Sequence, residues 1–205
     1  MDLLKRLIGV EAIILLGQAA TYLGCELLQH NFHDVKRPID DKVPLIPWTV
    51  YIYISWFAMI AVFPIVLFYC GGRYWSYQYA IIAGIIISEI CYVVYPTTFR
   101  RDPLPDSVGG KVLKLVYRLS FKGVNCSPSM HCLQCFTVMA FALMCPTMGA
   151  AGANPGMPIW LKLFFLLQSA AIIVATQTTK QHTILDVITA IPVAIVVILF
   201  GVLVI

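Results

Sequence analysis

From Thr183 to Ile205 the chain runs 23 residues with a single charge, Asp186. As a helix, a run of that length spans the roughly 30 Å hydrocarbon core of a bilayer, and lipid leaves a backbone few options other than helix. Five more apolar runs precede it, over about residues 7–28, 49–70, 77–95, 131–148 and 159–177. Composition agrees: the chain is 60% hydrophobic and 12% charged, whereas a soluble domain is about half apolar and a quarter charged. We therefore expect an all-α polytopic membrane protein: six transmembrane helices in one bundle, with residues 1–205 as a single domain. No internal repeat or low-complexity linker divides it.

Lys5 and Arg6 ahead of the first run would suit a signal peptide. The run is long for that purpose and lacks a clean small-residue exit, so it is read as a retained span. The net charge of +4 gathers near segment ends. That suits lipid headgroups, and no nucleic-acid module is visible. The seven cysteines are odd in number and mostly lie inside apolar runs, which argues against a disulfide framework.

Three polar connections break the apolar pattern. Residues 29–48 contain the prolines at 38, 44 and 47, and Trp48 marks an interface. Residues 96–130 open with Pro96-Thr97-Thr98-Phe99-Arg100-Arg101. They continue into a stretch, Gly110 to Gly123, where Lys111, Lys114, Arg118 and Lys122 step along one helical face opposite Val112, Leu115, Val116 and Leu119. This predicts a short amphipathic helix on the membrane surface, or else an ordinary solvated face. The third connection is the short turn at 178–182. With six spans, all three connections fall on one side, together with all four histidines, Arg100-Arg101 and Lys180. Glu89, inside the third run, is expected to face the bundle, either hydrogen-bonded or as a proton or substrate contact.

The stretch Thr176 to Asp186 then stands out. His182 and Asp186 are four apart and share a helical face. Two imidazoles (His131 and His182), a carboxylate and several cations on one face suit phosphoryl transfer. A neutral imidazole can attack phosphorus when a carboxylate fixes its tautomer. A second, protonated imidazole can deliver a proton to the leaving alkoxide, and cations neutralise the equatorial oxygens.

Ser127-Pro128-Ser129-Met130-His131, followed by Lys180-x-His182-x-x-x-Asp186, resembles the type 2 phosphatidic acid phosphatase/vanadium haloperoxidase superfamily, in particular its membrane branch of lipid phosphate phosphatases and inositol phosphorylceramide synthase-like proteins. The resemblance implies that His182 is the nucleophile that forms a phosphohistidine, and that Asp186 orients it. It implies that His131 acts as general acid and then general base, and that Ser129 contacts phosphate. Lys180 and Thr176 match the basic residue and small hydroxyl of the third motif. Arg101, in preference to Arg100, matches a further phosphate clamp after Pro96-Thr97. It implies no metal and no cofactor. The lipid enzymes act on a lipid phosphate among membrane lipids, and the site is expected on the extracytoplasmic or lumenal face, although the Lys/Arg count alone would put it in the cytoplasm.

Three departures are plain. Met130 stands where the second motif usually has Gly. Lys180 stands where many members have Arg, which removes bidentate phosphate binding. The first motif is absent, since Lys36-Arg37-Pro38 has its letters at the wrong spacing. A zinc site at Cys132-x-x-Cys135 is disfavoured because both cysteines lie inside an apparent span. The expected activity is hydrolysis of phosphatidic acid or a related lipid (di)phosphate. Phosphotransfer to a lipid or inositol alcohol, and a non-catalytic binding protein with a degenerate site, are the alternatives.

Overall fold

The computed structural model describes residues 2–119, 123–124, 126–150 and 155–204. The chain is predominantly helical: α1 Asp2–Leu28, α2 Val50–Tyr69, α3 Tyr74–Val94, α4 Val108–Leu119, α5 Met130–Met144, α6 Ile159–Thr178 and α7 Ile184–Val204. Five segments are long and apolar enough to cross a membrane: Leu3–Leu28, Pro47–Tyr69, Tyr74–Val94, Ile159–Thr178 and Ile184–Val204. Their lipid-compatible side chains are turned outward, as Leu27, Val94, Leu167 and Leu203 illustrate.

The fourth apolar run is shorter as a helix than its hydropathy predicts. α5 has 15 residues, about 22 Å of rise, against the roughly 30 Å core. Prolines bracket it: Pro128 lies just before the Ser129 cap, and Pro146 forces Cys145 into extended backbone (ψ 136°), as the residue before a proline prefers. Its ends nevertheless lie far apart in the bundle. His131 stacks on Tyr53 near the start of α2, while Cys145 donates to the carbonyl of Cys70 just past the end of α2.

The core is built where α2, α3, α5, α6 and α7 meet. Phe63, Tyr77, Phe141, Phe165 and Ile172 fill it, with Phe63 edge-on to both Tyr77 and Phe165. Helices α3 and α7 approach closely because position 201 is glycine: a Cβ there would lie 2.3 Å from the Ser76 carbonyl oxygen. Small residues at such crossings are the usual way membrane helices pack. Pro64 and Pro192 are both accommodated inside helices.

α1 is held to the bundle largely by polar contacts. Tyr74 and Gln78 both donate to the Glu11 carboxylate, Gln134 donates to Gln18, and the Thr21 hydroxyl donates to Glu89. Glu89 is thus hydrogen-bonded between α1 and α3, the first of its two expected readings.

The amphipathic segment forms α4. Leu113 is buried while Lys111, Lys114 and Arg118 are exposed. The helix begins two residues before the predicted start and is described as far as Leu119; the predicted end, with Lys122, lies outside the described residues.

The polar connections are stitched together at one end of the bundle. β1 (His33–Asp34) pairs in parallel with β2 (Thr97–Thr98). Thr98 bridges to Val124, and the Thr97 hydroxyl accepts from the amides of Cys126 and Ser127 at 3.1 and 3.0 Å. Val35, Phe99 and Cys126 form a small apolar floor with Leu185 against it.

Candidate functional site

α6 ends at Thr178, and the chain turns sharply before α7. Thr176 carbonyl accepts from the amides of both Gln181 (3.0 Å) and His182 (3.1 Å), closing the helix C-terminus in the way helix ends require. The turn forces Lys180 into left-handed backbone, φ 53°. A non-glycine residue there costs about 1–2 kcal/mol, which the surrounding bonds must offset. Lys180 supplies two of them itself: its Nζ donates to the carbonyls of Asp40 (2.7 Å) and Val43 (2.6 Å).

His182 emerges from this turn, 8% exposed. Its Nδ1 lies 3.2 Å from the Cys126 carbonyl and 3.5 Å from Asp186 Oδ2. Both neighbours only accept, so Nδ1 carries a proton, and in the neutral ring Nε2 is the acceptor nitrogen. Nε2 faces His131 Nδ1 at 3.3 Å. Asp186 is completely buried, and its Oδ2 also accepts from the Thr183 amide at 2.7 Å. One carboxylate oxygen therefore holds both the first turn of α7 and the imidazole. The Asp186 carbonyl accepts from the Ser129 amide at 3.1 Å, which locks the start of α5 to α7.

His131 sits in the first turn of α5 between aromatic rings. Tyr53 stacks at 4.7 Å and Trp56 lies at 4.2 Å, tilted by 40°. His131 Nε2 is buried with no partner among the described residues. Burial and the two aromatic faces set where the imidazole stands.

The remaining expected residues fall around this pair. Ser129 is fully buried and caps α5, its Oγ accepting from the Cys132 amide at 3.3 Å; its hydroxyl proton remains to be donated. Thr176 is buried, with its hydroxyl on the Ile173 carbonyl at 2.7 Å. Arg100 is exposed and lines the cleft that contains His182. Arg101 is not among the cleft-lining residues but stays beside the pair: it donates to Gln181 Oε1 at 3.1 Å and lies over the Tyr117 ring at 4.4 Å. Lys180 is committed to the 29–48 loop and also approaches Asp102 at 3.8 Å.

The cleft is narrow and open to solvent, and is lined by Lys36, Asp40, Arg100, Asp102, Lys180, His182 and Thr183 among others. Its cations and carboxylates interleave. Lys36 pairs with Asp41 at 2.6 Å and with Asp102 at 3.9 Å. The Asp41 bond is the main reason the Lys36 ammonium is held above its ordinary range and Asp41 below its own. On the neighbouring wall, burial pushes the Tyr117 phenol up to about 12, with Arg101 pulling it down and Asp102 raising it. Under the floor, burial pushes the Cys126 thiol well up, and Asp186 adds to that. Among the described residues no group of three or more His, Cys, Asp or Glu side chains is placed to hold a metal ion. Cys132 and Cys135 are both buried in the bundle as free thiols.

Four residues of this geometry were not singled out as site residues by the sequence. Asp40 meets Lys180 and Ile184 across about 140 residues of chain. Tyr53 and Trp56 look like an ordinary interfacial cluster until α5 places His131 against them. Lys36 was legible only as part of a mis-spaced motif, and it becomes a cleft residue because β1 pairs with β2.

Comparison with known proteins finds no matching family model, no matching curated protein and no matching solved structure.

Proposed function

We propose that the chain is an integral-membrane lipid phosphate phosphatase that acts through a phosphohistidine at His182 on phosphatidic acid or a related lipid (di)phosphate. One observation carries this reading above the others: with Nδ1 of His182 held between two acceptors, its Nε2 is turned to a second, aromatic-walled imidazole 3.3 Å away.

The chemistry follows from that arrangement. Nε2 of His182 attacks phosphorus, the P–N bond forms and the P–O ester bond breaks. His131, protonated, gives its proton to the leaving alkoxide. Asp186 stabilises the imidazolium that develops at His182. In the second half, His131 takes a proton from water, the water oxygen bonds to phosphorus and the P–N bond breaks, releasing phosphate. Arg100 at the cleft, with Arg101, Ser129 and Thr176 around the pair, is the set from which charge and donors for the equatorial oxygens are drawn, while Lys180, expected as a phosphate ligand, holds the loop carbonyls of Asp40 and Val43. Two nitrogens in hydrogen-bond contact leave no room for phosphorus and a leaving oxygen between them, so substrate entry parts the two rings.

Two further readings belong with this one. α5 acts as a sixth crossing, supported by its reach from the level of Tyr53 to that of Cys70, with the Cys145–Pro158 connection on the far side. α4 lies on the membrane surface with its cations toward headgroups, supported by its one buried and one basic face. The site is read as opening to the extracytoplasmic or lumenal side.

The test is labelling of purified protein with ³²P-phosphatidic acid in mixed micelles, quenched in alkaline SDS. We expect an acid-labile, base-stable phosphohistidine that is absent in His182→Ala, and release of free phosphate. Full turnover by His182→Ala or His131→Ala would end the proposal. A new phospholipid formed on adding an alcohol acceptor, without free phosphate, would reassign the second half to phosphotransfer.

A further inference from the structure

We propose that Asp40 is a positioning residue for His182, gripping the nucleophile's turn from outside at two points; this rests on the phosphatase reading above. Asp40 belongs to the 29–48 loop, remote in sequence, and is 6% exposed. Its Oδ1 accepts from the Ile184 amide at 2.8 Å and its Oδ2 from the Arg37 amide at 2.7 Å. Its backbone carbonyl accepts from Lys180 Nζ at 2.7 Å. Lys180 and Ile184 lie two residues before and two after His182, so one residue clasps both flanks of the nucleophile.

Within the turn, acceptors come from nearby chain. The Lys180 amide goes to Gln177, those of Gln181 and His182 go to Thr176, and that of Thr183 goes to Asp186. The first amide of α7, on Ile184, is satisfied by Asp40. A carboxylate at a helix N-terminus is favoured both by the orphan amide and by the helix dipole. The loop is in turn anchored: the Ile46 amide donates to the Thr178 carbonyl at 2.8 Å, and the Thr49 and Thr178 hydroxyls meet at 2.8 Å. The clasp is therefore braced against the end of α6 and is not a loose flap. Asp40 acts through His182: the bonds that orient Nδ1 reach Asp186 and Cys126, and both depend on where the 180–184 turn stands. A displacement of about 1 Å at a reacting atom costs on the order of 100-fold in rate.

The experiment compares single-turnover phosphohistidine formation and steady-state kinetics on ³²P-phosphatidic acid in mixed micelles for wild type, Asp40→Ala, Asp40→Asn and Lys180→Met, with thermal unfolding of each in detergent. In Asp40→Ala we expect labelling and kcat to fall roughly 10- to 100-fold while KM stays within about threefold. Asp40→Asn should recover part of the rate, because its amide oxygen still accepts from Ile184 while its NH2 then faces the Arg37 amide. Lys180→Met should lower kcat in the same way, and the double variant Asp40→Ala/Lys180→Met should lose little more than the worse single, as coupled groups do.

Wild-type labelling in folded Asp40→Ala would overturn the inference and leave the phosphatase reading standing. So would a loss in Asp40→Asn as deep as in Asp40→Ala, or an effect on KM alone. Should Asp40→Ala fail to fold, Lys180→Met decides by the same kcat-against-KM criterion. Absence of any phosphohistidine in the wild-type protein would overturn the phosphatase reading, and this inference with it.

Discussion

His182 Nε2 and His131 Nδ1 stand 3.3 Å apart although 51 residues separate them in the chain. That contact depends on two independent locks: the α6–α7 turn, closed on the Thr176 carbonyl, and the Ser129 amide bonded to Asp186. If His131 serves the leaving group, its removal should matter according to what leaves. With an alkyl phosphate ester, His131→Ala should lose about 10²–10⁴-fold in kcat. With 4-nitrophenyl phosphate, whose leaving group needs no proton, the loss in phosphohistidine formation should be at least tenfold smaller. Equal losses on both substrates would remove His131 from the role of general acid.

Asp186 holds two donors with one oxygen, the Thr183 amide and the His182 ring. Asp186→Asn keeps the size but presents an amide that can donate to Nδ1, favouring the wrong tautomer. We expect kcat to fall at least about 100-fold with little change in KM. A ¹⁵N spectrum of labelled histidine should show the Nδ1–H form in the wild-type protein and loss of that preference in Asp186→Asn.

Glu11 joins α1 to α3 through Tyr74 and Gln78 and lies outside the site. Glu11→Ala should lower stability in detergent by roughly 0.5–2 kcal/mol, the range for interhelical polar contacts. Turnover should stay within threefold of wild type below the unfolding temperature. A loss of turnover without a loss of stability would mean that α1 does more than support the bundle.

The Cys126 thiol is buried, and burial is the main reason its ionisation is pushed far up. Since the thiolate is the reactive form, a maleimide at pH 8 should leave Cys126 unmodified in the folded protein and label it promptly in SDS. Labelling of Cys126 in the native state, located by peptide mass spectrometry, would show that the floor formed with Val35 and Phe99 opens in solution.

A sixth crossing makes a sidedness prediction. In a cysteine-free background, a single cysteine at Asp41 and one at Met148 should react with an impermeant maleimide from opposite faces of sealed cells or vesicles. Reaction of both from the same face would make α5 a helix that enters and does not cross.

The class of fold was legible because it rests on properties that lie along the chain. Runs of about twenty apolar residues must become helices in lipid, and the amphipathic period of Lys111, Lys114 and Arg118 writes out α4 directly. The His182–Asp186 pair was legible as a spacing but not as a helical face: His182 lies in the turn before α7 begins at Ile184, and the Thr183 amide bonded to Asp186 folds that turn back so that the ring reaches the carboxylate. The length of α5 was less so: hydropathy measures what lipid tolerates, while Pro128 and Pro146 decide where helix can continue. Proximity across the chain decided everything else. Lys180, by composition a phosphate ligand, is bonded to loop carbonyls because left-handed backbone aims its side chain at Asp40 and Val43. Arg100 and Arg101, adjacent in sequence, part company: Arg100 is exposed at the cleft, while Arg101 is held by Gln181 and the Tyr117 ring. By itself the sequence determined which segments are helical and which residues can carry the chemistry. Only the tertiary structure decided which of them meet, because hydrogen bonds and ring contacts over about 1 nm or less are set by packing between segments, and no local periodicity encodes that.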